Sequence, residues 1–253
     1  NTIIVNLLLQ PKESKMNKTV GSTLLVAGTM IGAGMLAMPL TSAGIGLTAT
    51  VFLLIGLWAV LTFTALLFVE LYQTADSDAG IGTLAAQYFG KAGRIISTAV
   101  LIVFLYALIA AYVSGGGSLL MDLLPAMGDK DTMNKITVLV FTIFFGSFIV
   151  IGTHSVDKIN RVLFFVMIAA FILVLALMLP NIKFNNLMAM PIDNALIISA
   201  SPVFFTAFGF HGSIPSLNKY LDGNVKSLRI AILVGSGITL FAYFLWQLST
   251  HGL

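Results

Sequence analysis

Residues 28–39 read GTMIGAGMLAMP, and this stretch decides how the chain is expected to fold. It lies inside an apolar segment that runs from about residue 20 to residue 42. Gly28, Gly32, Gly34 and Pro39 weaken a helix there, because Gly costs about 1 kcal/mol and Pro about 3 kcal/mol relative to Ala inside a helix. Close packing of two membrane helices is an equal alternative for Gly28 and Gly32 alone. We expect an unwound turn near the middle of the segment, where freed backbone groups need a cavity or a ligand.

The composition of the whole chain indicates a membrane protein. Of its 253 residues, 58% are hydrophobic and 9% are charged, whereas soluble domains have about 45–50% and about 25%. These values exclude an ordinary water-soluble enzyme and a disordered chain. The net charge of +3 is too small for a nucleic-acid partner, whose phosphates would need several cations. The lack of cysteine excludes disulfides, thiolate metal sites and a cysteine nucleophile.

Seven stretches are long and apolar enough to cross a bilayer as helices, since a hydrocarbon core requires roughly 20 residues. They cover about residues 20–42, 47–71, 95–124, 136–153, 162–180, 195–217 and 228–250. The apolar runs are continuous rather than alternating, so barrel strands are not expected. Residues 82–89 suit a short interfacial helix ahead of the third span. The predicted fold class is an all-α integral membrane protein.

Positive charges lie mostly on one side of these spans. Ten of the 13 lysine and arginine residues lie there, namely Lys12, Lys15, Lys18, Lys91, Arg94, Lys158, Arg161, Lys219, Lys226 and Arg229, against Lys130, Lys135 and Lys183 on the other side. Because cytoplasmic loops carry the excess of positive charge, we expect a cytoplasmic N-terminus, with residues 1–18 as a cytoplasmic arm. Tyr243 and Trp246, near the outer end of the last span, are expected to join an interfacial aromatic belt.

The sixth span has an interruption like that of the first. Residues 201–215 read SPVFFTAFGFHGSIP, in which Gly209, Gly212 and Pro215 interrupt an apolar run around His211. Broken first and sixth spans, five apart, are typical of transporters built from two inverted five-helix repeats. Half-helix N-termini offer N–H groups to a carboxylate, and freed carbonyls accept from an ammonium group. A zwitterionic amino acid therefore fits such a site.

Several motifs resemble one known family. Residues 28–40 look like the first-helix signature of bacterial aromatic amino acid permeases. The stretches IGLWA (55–59), ELYQ (70–73), GTLA (82–85) and YALIAAYVSG (106–115) also resemble that group. The resemblance extends from about residue 17 to the end and is strongest to the tyrosine-specific members. It implies a five-plus-five inverted-repeat fold of the amino acid–polyamine–cation superfamily, truncated here to about seven transmembrane helices.

The resemblance also implies a domain organisation and a function. Residues 19–253 would form the transporter domain, with the first repeat over about 20–180, the start of the second over about 195–250, and the remainder missing. The implied function is import of tyrosine by proton symport across a bacterial inner membrane, without a cofactor, in contact with lipid. Tryptophan or serine/threonine transport by the same family stays open, as does Na⁺ coupling. A non-transporting scaffold and a membrane-embedded enzyme are further alternatives.

The candidate site lies between the two breaks, about halfway across the membrane. Its predicted substrate-binding residues are Thr29, Ile31, Gly32, Ala33, Gly34, Tyr112, Phe205, Phe208, Gly209 and His211. Residues 29–34 are expected to face the substrate carboxylate, and residues 205–212 to serve its amine and its ring. His211 is the candidate for proton coupling, because an unperturbed histidine titrates near pH 6.5. A neutral His211 bonded to a freed carbonyl is the alternative, and back-bonding is the alternative for the Thr29 hydroxyl.

Overall fold

The computed structural model describes residues 18–124, 129–151, 153–188 and 194–253, and these ranges contain helices and loops but no strand. The predicted cytoplasmic arm lies outside them except for Lys18. The helices are α1 (Lys18–Met30), α2 (Ala33–Ser42), α3 (Gly46–Leu71), α4 (Ile81–Leu123), α5 (Lys130–Ile151), α6 (Thr153–Met178), α7 (Phe184–Leu187), α8 (Asn194–Ala207), α9 (Ile214–Tyr220) and α10 (Val225–Gly252), with 3₁₀ turns at Leu179–Asn181 and His211–Ser213.

The described helices provide six membrane spans, or seven when the bent pair α1 and α2 is counted as one. The prediction of an all-α, multi-pass membrane protein is therefore confirmed. Five of the spans are single helices or helix pairs close to the predicted bounds. The predicted short helix over residues 82–89 is present as the first segment of α4, and the third span follows it after Gly90, where the backbone is not helical. Gly90 has φ 62°, a left-handed conformation that glycine adopts without steric cost.

Both spans that were predicted to be broken are interrupted. The first bends by 48° between α1 and α2, and Ile31 and Gly32 at the bend are not helical. Pro39 does not end the second half but lies inside α2. The sixth span stops after Ala207, passes through a 3₁₀ turn, and resumes as α9, with Pro215 in its first turn, where no N–H is needed.

The buried core lies where both broken spans meet α3 and α10. Helix α10 packs along α1 and α3, and α2 packs against α8. The largest fully buried side chains there include Phe204, Phe208, Ile232 and Tyr243. Helices α4, α5 and α6 form a second layer that packs in sequence, and their apolar side chains are mostly exposed. In a membrane these exposed faces require lipid or other apolar partners.

Two ion pairs and one buried hydroxyl tie the charged end of this core together. Lys18 pairs with Asp222, and Arg229 pairs with Glu70. The Tyr72 hydroxyl, just after α3, donates to the Ala79 carbonyl oxygen at 2.6 Å. Burial raises the pKa of Tyr72 to about 12, so its hydroxyl keeps that proton at neutral pH. The starts of α1 and α10 and the end of α3 therefore meet at one end of the bundle.

Candidate functional site

The two helix breaks lie against each other. A Cβ atom placed on Gly34, in the first turn of α2, would lie 3.0 Å from the Cβ of Ala207, the last residue of α8. It would also lie 3.2 Å from the Ala207 Cα, so the two backbones touch with no room for a side chain between them. Gly34 is therefore required by this close approach. The geometry brings the beginning of one half-helix to the end of another.

The start of α2 offers backbone donors at this junction. The first N–H groups of a helix have no partner within it, and α2 begins at Ala33. The Met35 N–H donates to the Gly32 carbonyl oxygen at 3.0 Å. The N–H groups of Ala33 and Gly34, which precede Met35, have no acceptor within the helix. A helix N-terminus of this kind carries a partial positive charge and suits a carboxylate.

Three carbonyls freed by the glycines and prolines receive side-chain donors from α10. The Tyr243 hydroxyl lies 2.6 Å from the Met30 carbonyl oxygen, at the end of α1, and 3.1 Å from the Ala207 carbonyl oxygen, at the end of α8. The Trp246 indole N–H donates to the Met35 carbonyl oxygen at 2.9 Å. The helical donor to that carbonyl would come from residue 39, and Pro39 has no N–H. Side chains of α10 thus complete the hydrogen bonding of both broken spans.

The expectation of an aromatic belt at Tyr243 and Trp246 is wrong. Tyr243 is completely buried, and Trp246 packs against the core with its ring centroid 6.0 Å from that of Phe171. The spacing of these residues in the sequence distinguishes buried hydrogen-bond donors from an interfacial aromatic belt. Residues three apart share one face of a helix, and two polar-tipped aromatic residues on the face that packs against glycine-broken spans indicate partners for freed carbonyls.

The carbonyls of the sixth break are engaged mainly by local turns. The Phe208 and Gly209 N–H groups donate to the carbonyl oxygens of Phe205 and Thr206 at 3.3 and 3.0 Å. The Ser213 N–H donates to the Phe210 carbonyl oxygen at 2.9 Å. A carbonyl oxygen has two lone pairs, so each of these groups still has one for another donor.

The predicted site residues of the first break point in different directions. Ile31 is 6% exposed and belongs to the core, whereas Thr29 is exposed and its hydroxyl donates to the Val26 carbonyl oxygen at 2.9 Å. Gly32 faces α4, because a Cβ placed on it would lie 3.9 Å from the Tyr112 hydroxyl oxygen. The structure therefore brings Tyr112, Gly32 and Gly34 together with the Ala33 backbone, and turns Ile31 and the Thr29 hydroxyl to other partners.

The predicted aromatic residues of the sixth break also separate. Phe208 is 1% exposed and meets the Tyr243 ring edge-to-face, with centroids 5.3 Å apart. Phe205 is 52% exposed, on the surface of α8. A Cβ on Gly209 would lie 2.9 Å from the Thr206 carbonyl oxygen, so the turn itself requires glycine there. Phe208 is thus the one of the two phenylalanines that lies beside the breaks.

His211 contacts α3 rather than the first break. Its Nε2 lies 2.9 Å from the Thr64 hydroxyl oxygen, and that hydroxyl also lies 3.0 Å from the Leu61 carbonyl oxygen. A hydroxyl has one hydrogen, so when Thr64 donates to Leu61, the His211 Nε2 carries a hydrogen and donates to Thr64. The Phe68 and Phe210 rings lie against the imidazole, with centroids 6.0 and 5.3 Å away.

Aromatic side chains of α6, which were not predicted as site residues, cover the junction. A Cβ on Gly28 would lie 3.0 Å from the Phe164 ring, and Phe171 lies beside Trp246. By contrast, an apolar groove of about 210 Å³ lies elsewhere, between α3 and α10, with Leu54 and Phe244 among its walls. Among the described residues no group of three His, Cys, Asp or Glu side chains could hold a metal ion.

The fold, with its six or seven apolar spans and the junction of two broken spans, defines a multi-pass membrane protein. The chain belongs to the tryptophan/tyrosine permease family, whose model matches residues 15–253. The predicted family resemblance is confirmed. Since this is a family of permeases, the alternative of a membrane-embedded enzyme is wrong.

Individual relatives extend the match over nearly the whole chain. The chain is 82% identical over 239 residues to tyrosine-specific transport system 1 of Haemophilus influenzae, covering 94% of this chain and 58% of that protein. It is 55% identical over 237 residues to tyrosine-specific transport system 2 of the same organism, with 93% and 58% covered. It is 33% identical over 237 residues to glutamine transporter 2 of Aliivibrio fischeri, with 93% and 61% covered.

The chain thus spans about three fifths of the length of the curated relatives it matches. No solved structure matches it.

Proposed function

We propose that the chain forms part of a secondary active transporter that imports tyrosine across a bacterial inner membrane by proton symport. Residues 19–253 make up the transporter domain in this proposal, with a first repeat over about 20–180 and a second repeat that starts at about 195. The N-terminus lies in the cytoplasm, as the distribution of lysine and arginine favours. The observation that carries the proposal is the contact between two interrupted spans. Backbone N–H and C=O groups that have no partner within their own helices meet at this one junction.

The polar groups of this junction suit the two charges of an amino acid. The N–H groups of Ala33 and Gly34 receive the carboxylate at the positive end of α2. The carbonyl oxygens of Met30 and Ala207, at the negative ends of α1 and α8, attract the ammonium group. Tyr243 lies between those two carbonyl oxygens at 2.6 and 3.1 Å, and it holds them at a spacing that a single donor group can bridge.

The aromatic surroundings of the junction support a substrate with a ring. Tyr112 lies next to Gly32, and the same region is bordered by Phe164 of α6 and by Phe208, which directly follows α8. Aromatic rings favour offset or edge-to-face contacts with another ring. Two of the relatives named above are tyrosine-specific transport systems, which favours tyrosine over tryptophan, serine or threonine.

His211 serves as the proton-coupling candidate of this proposal. It is an ionisable side chain within a span, and such groups usually have functional roles. The Thr64 hydroxyl and the rings of Phe68 and Phe210 fix its imidazole. In the neutral form with a hydrogen on Nε2, the other ring nitrogen carries no hydrogen and can accept a proton.

Binding and uptake of labelled tyrosine test the proposal in two steps. The chain in lipid nanodiscs is expected to bind tyrosine. A chimera completed with the remaining segment of the Haemophilus tyrosine-specific transport system 1 is expected to accumulate it in cells. Tyr112→Ala should weaken binding by about 10-fold or more, the equivalent of losing about 1.4 kcal/mol. Tyr106→Ala is the control, because Tyr106 is 76% exposed on the same helix. Failure of the chimera to take up tyrosine, or equal binding by both variants, would contradict the proposal.

A further inference from the structure

A second polar cluster lies on α10, on the same face as Tyr243. Gln247 and His251 follow Tyr243 at intervals of four residues, so the three side chains line one face of the helix. Ser42, the last residue of α2, packs between Gln247 and His251. This Ser42–Gln247–His251 cluster lies at the end of the bundle opposite the ion pairs of Lys18 and Glu70, and the proposed orientation makes that the outer end.

Two members of the cluster are deeply buried for polar groups within a membrane span, and His251 is partly buried. Ser42 and Gln247 are 0% exposed. The Ser42 hydroxyl oxygen lies 3.1 Å from the Gln247 Oε1 and 3.1 Å from the His251 Nε2. The amide nitrogen of Gln247 is buried and has no hydrogen-bond partner within the described residues. A buried amide with one end unsatisfied costs free energy, which calls for a compensating role.

The hydrogen count of the cluster depends on His251. Ser42 has one hydroxyl hydrogen, and Gln247 Oε1 can only accept. When Ser42 donates to Gln247, the His251 Nε2 must carry a hydrogen and donate to Ser42. When Nε2 carries none, the Ser42 hydrogen turns to His251, and the Gln247 amide has to rotate so that its nitrogen donates to Ser42. The protonation of His251 Nε2 therefore selects which end of the amide faces the outer half of the first span.

Within the described ranges of the chain, few charged groups lie around His251. Lys183 is the charged residue of the segment that packs on the end of α10, and its backbone N–H donates to the Gly252 carbonyl oxygen at 2.8 Å. Helices α2 and α8 carry no charged residue. The other charged residues of the helices packed on α10, and of α10 itself, lie at the far end of the bundle; they are Lys18, Glu70, Asp157, Lys158, Arg161, Lys219, Lys226 and Arg229. The nearest ionisable group on the same face of α10 is Tyr243.

We infer that Ser42, Gln247 and His251 form a proton-binding site at the outer end of the bundle. A proton from the outer aqueous phase adds to Nε2 of the neutral imidazole, whose own hydrogen is on Nδ1, and gives an imidazolium that donates to Ser42; the same proton is later released from Nε2. Because Ser42 ends α2, the proton state is transmitted to the half-helix whose first turn faces the substrate junction. The coupling role rests on the proposed symport, whereas the proton-binding site itself does not.

Nitrogen-15 NMR of histidine-labelled chain in nanodiscs tests the site directly. His154→Gln, His211→Gln and His251→Gln variants assign the three histidine signals. The His251 ring nitrogens are expected to change protonation reversibly over a pH series, and Ser42→Ala and Gln247→Met should each move the midpoint of that change. A His251 signal that does not change over the pH series, or a midpoint that both variants leave unchanged, overturns the inference.

Uptake by the chimera separates this inference from the proposed function. His251→Gln is expected to abolish accumulation driven by a pH gradient while tyrosine binding persists, and His154→Gln should leave both unchanged. Equal gradient-driven accumulation in wild type and His251→Gln overturns the coupling role. If His251 titrates as expected but the wild-type chimera takes up no tyrosine, the proposed function is contradicted. The proton-binding site is retained in that case.

Discussion

At the scale of single residues, Tyr243 replaces the hydrogen bonds that the helix breaks remove. Tyr243→Phe keeps the ring contact with Phe208 but leaves the Met30 and Ala207 carbonyl oxygens without that donor. We expect the free energy of unfolding to fall by about 1–3 kcal/mol, the cost of buried unsatisfied acceptors. Thermal unfolding in detergent measures it. Tyr106→Phe, on the exposed face of α4, should have no effect, and equal midpoints for both variants would contradict the bridging role.

His211 carries a second prediction at this scale. Because its imidazole is held by Thr64 within a span, His211→Gln should reduce the pH dependence of tyrosine uptake by the chimera. Thr64→Val, which removes the hydroxyl and keeps the shape of the side chain, should shift the pH profile without abolishing uptake. The measurement is the initial rate of uptake across a pH series. Identical profiles for wild type and His211→Gln would assign His211 a structural role.

Sequence reasoning at the residue scale predicted positions better than directions. It placed Gly34 near the junction, because glycine and proline weaken the helix there, and it included Tyr112 among the candidate binding residues. It did not predict that Phe205 would face outward or that Ile31 would enter the core. Those directions depend on the rotation of each half-helix after a non-helical turn. A break of two to four residues resets the helical phase, so periodicity from one half does not extend into the other.

At the scale of elements, the contact of α1 with α10 depends on Gly235. A Cβ placed there would lie 2.7 Å from the Val26 Cβ and 2.8 Å from the Thr23 carbonyl oxygen, so Gly235→Ala must push the helices apart. We expect a loss of about 1–3 kcal/mol of stability, as in overpacked cores.

Gly237→Ala is the matched control for Gly235→Ala. It lies two residues further along α10, and a Cβ there meets nothing within 4 Å. This substitution should be neutral or raise stability by up to about 1 kcal/mol, because Ala favours the helix over Gly. Thermal melting of both variants in the same lipid makes the comparison. If Gly237→Ala destabilised the chain as much as Gly235→Ala, the packing argument would fail.

The elements themselves were largely predictable, because the apolar stretches are continuous and about as long as a bilayer requires. The two breaks also followed from clusters of glycine and proline. The short helix ahead of the third span was also predicted, and the charged and glycine-containing stretch around Gly90 marks where it ends. A glycine with positive φ turns the chain between the two segments of α4, and the direction of that turn does not follow from the local sequence.

At the scale of the whole molecule, the lack of cysteine makes the orientation testable. Asp78, between α3 and α4, and Asp131, at the start of α5, are both exposed. With the N-terminus inside, Asp78→Cys should stay unlabelled by a membrane-impermeant maleimide in intact cells, and Asp131→Cys should be labelled. Both should react after the membrane is opened. The reverse pattern would place the N-terminus outside.

The Tyr243 bridge has a consequence for motion. One hydrogen serves two acceptors that belong to separate half-helices, at 2.6 and 3.1 Å. Any displacement that favours one of these acceptors deprives the other, so α1 and α8 compete for the same proton. If α1 moves away from α10, its carbonyl oxygen loses the Tyr243 hydrogen to the carbonyl oxygen at the end of α8. The positions of α1 and α8 are therefore coupled through this one hydroxyl group.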